Sequence, residues 1–285
     1  LKRRDVLIGL SALVSLSIIQ QKRGWATQTL TVHWRSPEEL IAIGFERSRV
    51  VMMNEAHNGQ QRNIRTREIG QRILPTAHVT GVRHLAMEAL PSWVASEINE
   101  TRQLPRNVSG YLADPEMRNF IQTALDLNWT LSSYDIEPND YDPDQYDPDN
   151  PMSLEFNSLR EKVQAEKLVN TLQNLPSDAP LLVWCGNSHH FRLTVQLNEG
   201  EFDLMGQHFV ALSGIQHFAI DQTVSVRFSD DPMQVERFLP FMPELSQLGG
   251  TAGFLVEEAP PNLSLNESLM NAIDAVILST ENELE

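Results

Sequence analysis

A single cysteine, Cys185, stands in 285 residues. That excludes an intramolecular disulfide and any zinc site built from several thiolates. Positive charge is scarce as well. Twenty-two Lys and Arg against 38 Asp and Glu give a formal charge of −16 and a pI near 4.9. This is the wrong sign for gripping nucleic acid or an anionic membrane surface. No apolar run reaches the roughly 20 residues that a membrane-spanning helix requires. Also missing are the phosphate loop G-x-x-x-x-G-K-[ST], the dinucleotide fingerprint G-x-G-x-x-G, the zinc motif H-E-x-x-H and the nucleophile elbow G-x-S-x-G. Nucleotide kinases, Rossmann dehydrogenases and serine α/β-hydrolases thereby lose their usual supports.

What is present begins with a globular composition, 41% apolar and 21% charged, in a chain long enough to bury a large core. The N-terminus differs in kind. Lys2-Arg3-Arg4 precedes Val6–Ile19, an uncharged apolar run of 14 residues, and Gly24-Trp25-Ala26 offers small residues around a cleavage point. This is the pattern of an export signal. It resembles a twin-arginine signal, with Val6 and Ile8 where such signals carry Phe and Lys. Residues 1–26 are therefore read as an export signal, placing the protein in the periplasm or outside the cell. Lys22-Arg23 after the apolar run leaves an uncleaved membrane anchor as the alternative. With five of the 22 basic residues and one of the 38 acids in the first 23 positions, the remainder carries about −20. Residues 27–285 contain no linker rich in Gly, Ser or Pro, so they are read as one domain.

Within that domain short apolar runs alternate with amphipathic stretches. Val50–Met53, Leu85–Met87, Trp129–Tyr134 and Leu181–Cys185 read as strands buried on both faces. A last run begins at Asp274. Helices are predicted over Gly59–Leu74 after Asn58, over Pro115–Leu127 with Asp114 as N-cap, and over Leu154–Leu175 after Ser153. The alternation predicts an α/β fold, a mostly parallel central sheet with helices on both faces. The segment 202–228 reads as strands, or a strand plus a short helix. The Tyr-Asp-Pro-Asp repeat at 139–151 reads as a solvated loop near the site. Its acids Asp140, Asp142 and Asp144 are spaced as in a calcium loop, but Pro143 interrupts the turn and the required Gly is missing.

In a parallel sheet, residues just past the strand ends gather at one edge, where open α/β sheets bind ligands. Those residues are Glu55 and His57 after the first run and Glu88 after the second. Asp135 and Glu137 follow the third, and Gly186-Asn187-Ser188-His189-His190 the fourth. Ionisable side chains thus recur at the same end of four strands. A carboxylate near an imidazole raises its basicity and fixes its tautomer, as a general base requires. Glu88 lies among apolar neighbours and needs a partner. Of the two histidines, His189 is taken as the site residue. Cys185 ends a bulky apolar run and reads as inert packing. Arg62, Arg65, Arg67 and Arg72 follow His57 on one helix. Arg65 and Arg67 are the candidates to meet an oxyanion.

These residues carry a resemblance. "NEAHNGQQRNIRTREIGQRIL…GVRHLAMEAL", from Asn54 to Leu90, resembles the opening of the erythromycin esterase-like superfamily, which includes the haem-binding ChaN lipoproteins and, more distantly, the Tiki/TraB proteins. Asn54-Glu55-Ala56-His57 is similar to the superfamily's first motif, Glu88 to its second-strand acid, and Gly186-Asn187-Ser188-His189 to its late motif. "LREKVQAEKL" around Arg160, "MGQHF" at 205–209 and "DAVILSTENELE" resemble the esterase branch. Asn54 stands where the superfamily has Gly, and Asn is suited to keep a left-handed turn there. The branch's site arginine falls near Thr66, so Arg65 or Arg67 must replace it, or the role is absent.

The resemblance implies an exported hydrolase acting on an ester-type small molecule by activating water. His57 would be the base, oriented by Glu55 and Glu88, with His189 at the leaving group. Arg160, Asp135 or a helix arginine would bind substrate or oxyanion. The sequence requires no cofactor. The alternatives are a divalent metal held by His57, Glu88 and His189, or haem captured as in the ChaN relatives. Neither nucleic acid nor, apart from an uncleaved N-terminal segment, membrane is an expected partner.

Overall fold

The computed structural model describes residues 32–56, 60–143, 153–197, 200–223, 241–259 and 267–280. The N-terminal segment read as an export signal, His57 and most of the Tyr-Asp-Pro-Asp repeat lie outside them. The chain alternates as the sequence predicts. Helix α1 (Pro37–Arg47) leads to strand β1 (Val50–Glu55), then α2 (Gln60–Val79), β2 (His84–Met87), α3 (Ser92–Thr101) and α4 (Pro115–Asp126). Strand β3 (Thr130–Ser133), α5 (Leu154–Asn174) and β4 (Leu181–Gly186) follow. A small antiparallel hairpin, β5 (Thr194–Leu197) with β6 (Gly200–Asp203), precedes α6 (Met205–Ser213) and β7 (Phe218–Asp221). Helix α7 (Met242–Gln247), β8 (Thr251–Leu255), α8 (Glu267–Ala272) and β9 (Ala275–Ser279) complete the described chain.

Seven strands form one sheet in the order β3-β2-β4-β1-β7-β9-β8, parallel throughout except for β8 against β9. The fold is therefore α/β with a mostly parallel sheet. Strands β1 and β4 sit at its centre and are buried along their whole length, which is why their sequences are nearly continuous in apolar residues. Side chains alternate between faces at each step along a strand. Val51, Met53, Met87, Leu182 and Trp184 meet α1, α2, α3 and α4 on one face. Val50, Met52, Ala86, Val183 and Cys185 meet α5 and α6 on the other. A further cluster closes the β8–β9 end with Phe241, Leu245 and Phe254. Among the described residues no helix is long and apolar enough to cross a membrane.

Two local expectations change, and for the described part of 202–228 the reading of strand plus short helix holds. Helix α2 does not stop at Leu74 but runs through Pro75 to Val79. Proline removes one hydrogen bond from the helix, while Ile73, Leu74 and Ala77, all fully buried, anchor the turns on both sides of it. "HFVALSG" is helix, not strand, because Met205 and Phe209, four apart, bury one side of α6 and Gly214 closes it in the left-handed conformation at φ 70°. Asn54 takes no left-handed turn. It is an extended residue of β1, and the positive-φ residues of this edge are Ala89 and Asn187 instead.

Candidate active site

The carboxyl edge of β3, β2, β4 and β1 carries the groups that the sequence predicts, but the period-two alternation divides them between two faces. Glu55 follows Met53 in parity and emerges on the side of α2. Its carboxylate accepts from Arg67 Nε at 2.7 Å and from Trp184 Nε1 at 3.1 Å. Arg67, 1% exposed, donates its other arm to Asp114 at 2.6 Å and lies 5.6 Å over the Tyr111 ring. Asp114 sits at the N-cap of α4, yet makes no side-chain cap bond; Arg67 is its partner instead. This corrects the expectation for Arg67. A guanidinium enclosed by two carboxylates has no approach for an oxyanion, and its pKa rises as those carboxylates outweigh the cost of burial. Arg65 is half-buried and pairs with Glu68 at 3.5 Å along its own helix.

Glu88, one position past β2, emerges on the opposite face, below α5. One of its oxygens accepts from Arg160 Nη2, and the other accepts from the Gly186 N–H at 2.6 Å. His189 brings Nε2 to 3.6 Å from the oxygen that holds Arg160. Its Nδ1 donates to Glu161 Oε1 at 2.6 Å, and Glu161 Oε2 accepts the Met205 N–H at 2.7 Å. Both acids are buried, whereas the side chains of Arg160 and His189 keep 23% and 17% of their exposure. The two cations therefore form the solvent-facing layer over the two anions. Asp135 flanks them: its Oδ1 accepts from Gln164 Nε2 at 2.8 Å and lies 3.6 Å from Arg160 Nε.

Charge at this cluster follows from the geometry. Burial alone would push the His189 imidazole down. The carboxylates of Glu161 and Glu88 outweigh it and lift the pKa to about 8. At neutral pH His189 is thus an imidazolium, a proton donor rather than a base. The same carboxylates and Asp135 hold Arg160 charged. Tyr134, fully buried, donates its phenol to the Trp184 carbonyl at 2.9 Å, and burial keeps it protonated. Cys185 lies under the sheet with its thiol pushed up by burial, so it serves packing. His190 is also buried and neutral: desolvation lowers it well below the ordinary value. His217, which donates Nε2 to the His190 carbonyl at 2.8 Å, is lowered to about 3 for the same reason.

The described residues do not supply a metal site: no group of three His, Cys, Asp or Glu among them is arranged to hold an ion. Glu88 and His189, two of the three predicted ligands, are already engaged by Arg160 and Glu161. The third, His57, lies outside the described residues. The calcium reading loses Asp140, whose carboxylate accepts the Glu137 N–H and Lys167; Asp144 lies outside the described residues. Glu137 caps α3 through the Ser92 N–H at 2.8 Å.

No family model matches the sequence, and no curated protein matches it. Solved structures do. A Bacillus cereus protein superposes with a TM-score of 0.59 at 11% identity, over 86% of this chain and 92% of that one. This likeness shows a shared α/β fold. The effector domain RRSP of a Vibrio vulnificus MARTX toxin gives 0.47 at 14% identity over 67% of this chain, and the C-terminal region of Pasteurella multocida toxin gives 0.45 at 13% over 67%. This chain spans little more than a third of the first toxin structures, 36% to 38% of their length. Superpositions that loose bear no weight on activity.

Glu161 is the site residue that the sequence reading missed. The signal was there. Phe156, Glu161, Gln164, Ala165, Leu168 and Leu172 are the buried residues of α5, and a glutamate among them needs a cation to meet it. Asp221 at the end of β7 and the Trp184 indole on Glu55 gave no such signal, since each depends on which strands become neighbours.

Proposed function

We propose that this chain is a hydrolase that activates water against an ester-type small molecule, without a covalent intermediate. The observation that carries the reading is His189, held as an imidazolium between Glu161 and Glu88 with Arg160 on the same Glu88 oxygen. Ester hydrolysis needs a base to take a proton from water, positive charge near the carbonyl oxygen, and an acid to protonate the departing alkoxide. His189 supplies the acid and Arg160 the positive charge. The base is assigned to His57 on its sequence position two residues after Glu55. Water adds to the carbonyl as His57 accepts its proton. The tetrahedral oxyanion then collapses, and the alcohol leaves with the proton of His189. The proton taken up by His57 then returns, by way of solvent, to the neutral imidazole of His189. Glu55 is committed to Arg67 and Trp184, so its part is to support the strand end rather than to meet water.

The resemblance to the erythromycin esterase-like superfamily supports the same reading, and the N-terminal segment supports export. With Glu88 held by Arg160 and His189 by Glu161, the described donor set does not favour a metal. The test is a screen of aryl and alkyl esters against the wild type and the His57→Ala and His189→Ala variants. Hydrolysis by the wild type, with each variant folded and at least about a hundredfold slower, is the expected result. Wild-type rates in either variant, or a wild type inert to every ester, would remove the proposal.

A further inference from the structure

One buried polar group at this edge has no place in the scheme so far. Asn54, the penultimate residue of β1, is fully buried. Its Nδ2 divides two N–H donors among Asp221 Oδ1 at 2.6 Å, Thr223 Oγ1 at 3.0 Å and the carbonyl of Asn187. Its Oδ1 accepts the Gln222 N–H at 2.7 Å, and its own carbonyl accepts Gln222 Nε2 at 2.6 Å. The partners dictate the orientation of the amide. Flipped, its oxygen would face a carboxylate and a carbonyl, neither of which can donate. Asp221 is fixed in turn by the N–H and hydroxyl of Thr223, each at 2.7 Å.

The third acceptor is the informative one. Asn187 stands at φ 44°, in the left-handed region that few side-chain-bearing residues other than Asn adopt. It lies between Gly186, whose N–H binds Glu88, and His189. Its N–H donates to the Glu55 carbonyl at 2.8 Å, and its carbonyl accepts from Asn54. Both ends of this left-handed residue are thus tied to the last two residues of β1. A strut that only joined β1 to β7 would need the Asp221 and Gln222 bonds and no contact with this turn.

We infer that Asn54 is a positioning residue: anchored by Asp221 and Gln222, it holds the 186–189 turn in the left-handed conformation that presents His189 to Glu88 and Glu161. The inference rests on the proposed hydrolase for its meaning, but not for its test. Amide hydrogen exchange of Gly186, Asn187 and His189 is measured by NMR in the wild type and in Asn54→Ala. The expected result is exchange faster by about tenfold or more at the turn, the loss of one buried hydrogen bond, with Leu85 and Met87 of β2 unchanged. Asn54→Ser, which is one bond too short to reach the Asn187 carbonyl, gives the same pattern if the alanine variant does not fold. Adding Asn187→Gly, which adopts positive φ without strain, restores kcat of the hydrolysis in the Asn54→Ala background without restoring thermal stability. Unchanged exchange at the turn, or an equal rise at β2, overturns the inference whether or not any ester is hydrolysed.

Discussion

His189 differs from its neighbour His190 by one position and by everything around it. The turn after β4 sends the first ring to two carboxylates and the second under the sheet, so one is cationic at neutral pH and the other neutral. Replacing Glu161 by Gln removes the strongest support of the imidazolium. The alkaline limb of the pH–rate profile is expected to move below its wild-type position near pH 8; an unmoved limb would assign it to another group. Stability follows the same sign. The folded value, about 8, lies above the ordinary 6.5, so the contribution is fully present below pH 6.5 and is lost as pH rises through 8. It amounts to about 2 kcal/mol. Urea midpoints of the wild type should fall across that window, and those of Glu161→Gln should fall less.

Among the elements, α2 carries one face of the site, and α5 with α6 packed beside it carries the other. Helix α2 delivers Arg67 to Glu55, a pair buried so completely that losing one member strands the other. Arg67→Met should lower stability by about 3–5 kcal/mol, and Glu55→Gln in the same chain should recover part of it. Additive losses in thermal melts would mean that the pair does not couple. Helix α6 approaches the 186–190 turn so closely that a Cβ on Gly206 would lie 2.3 Å from the His190 carbonyl oxygen. Backbone cannot yield as a flexible side chain does, so Gly206→Ala should cost at least about 1–3 kcal/mol. An unchanged melting temperature would show that the helix is free to withdraw. Such contacts explain what the sequence could reveal. Runs such as Val50–Met53 announce strands because both faces are buried, and parity then places each side chain above or below. The neighbour order β2-β4-β1 is not written in any run, and that order decides that Trp184 reaches Glu55 and Gly186 reaches Glu88. Pro75 misled for a related reason: its cost is local, while the burial that holds α2 together comes from the sheet.

For the whole molecule, the seven-stranded sheet carries the candidate site at one edge, with one apolar core on the face of α1 to α4 and another on the face of α5 and α6. Cys185 reports on that core, being fully buried in the face that α5 and α6 cover. Its thiol should resist a disulfide reagent until denaturant unfolds the chain, in step with the loss of tryptophan signal; labelling under native conditions would mean that the layer opens on its own. The acidity of the whole chain is consistent with this local arrangement, since the only cations proposed to meet substrate, Arg160 and His189, stand over buried carboxylates. The pH–rate profile for hydrolysis of the best ester, measured for the wild type and His189→Gln, tests that arrangement most directly. The wild type should lose activity with an apparent pKa near 8, and the variant should be slow at every pH and lack that limb. An active variant that keeps the limb near 8 would contradict the assignment of His189 as the proton donor.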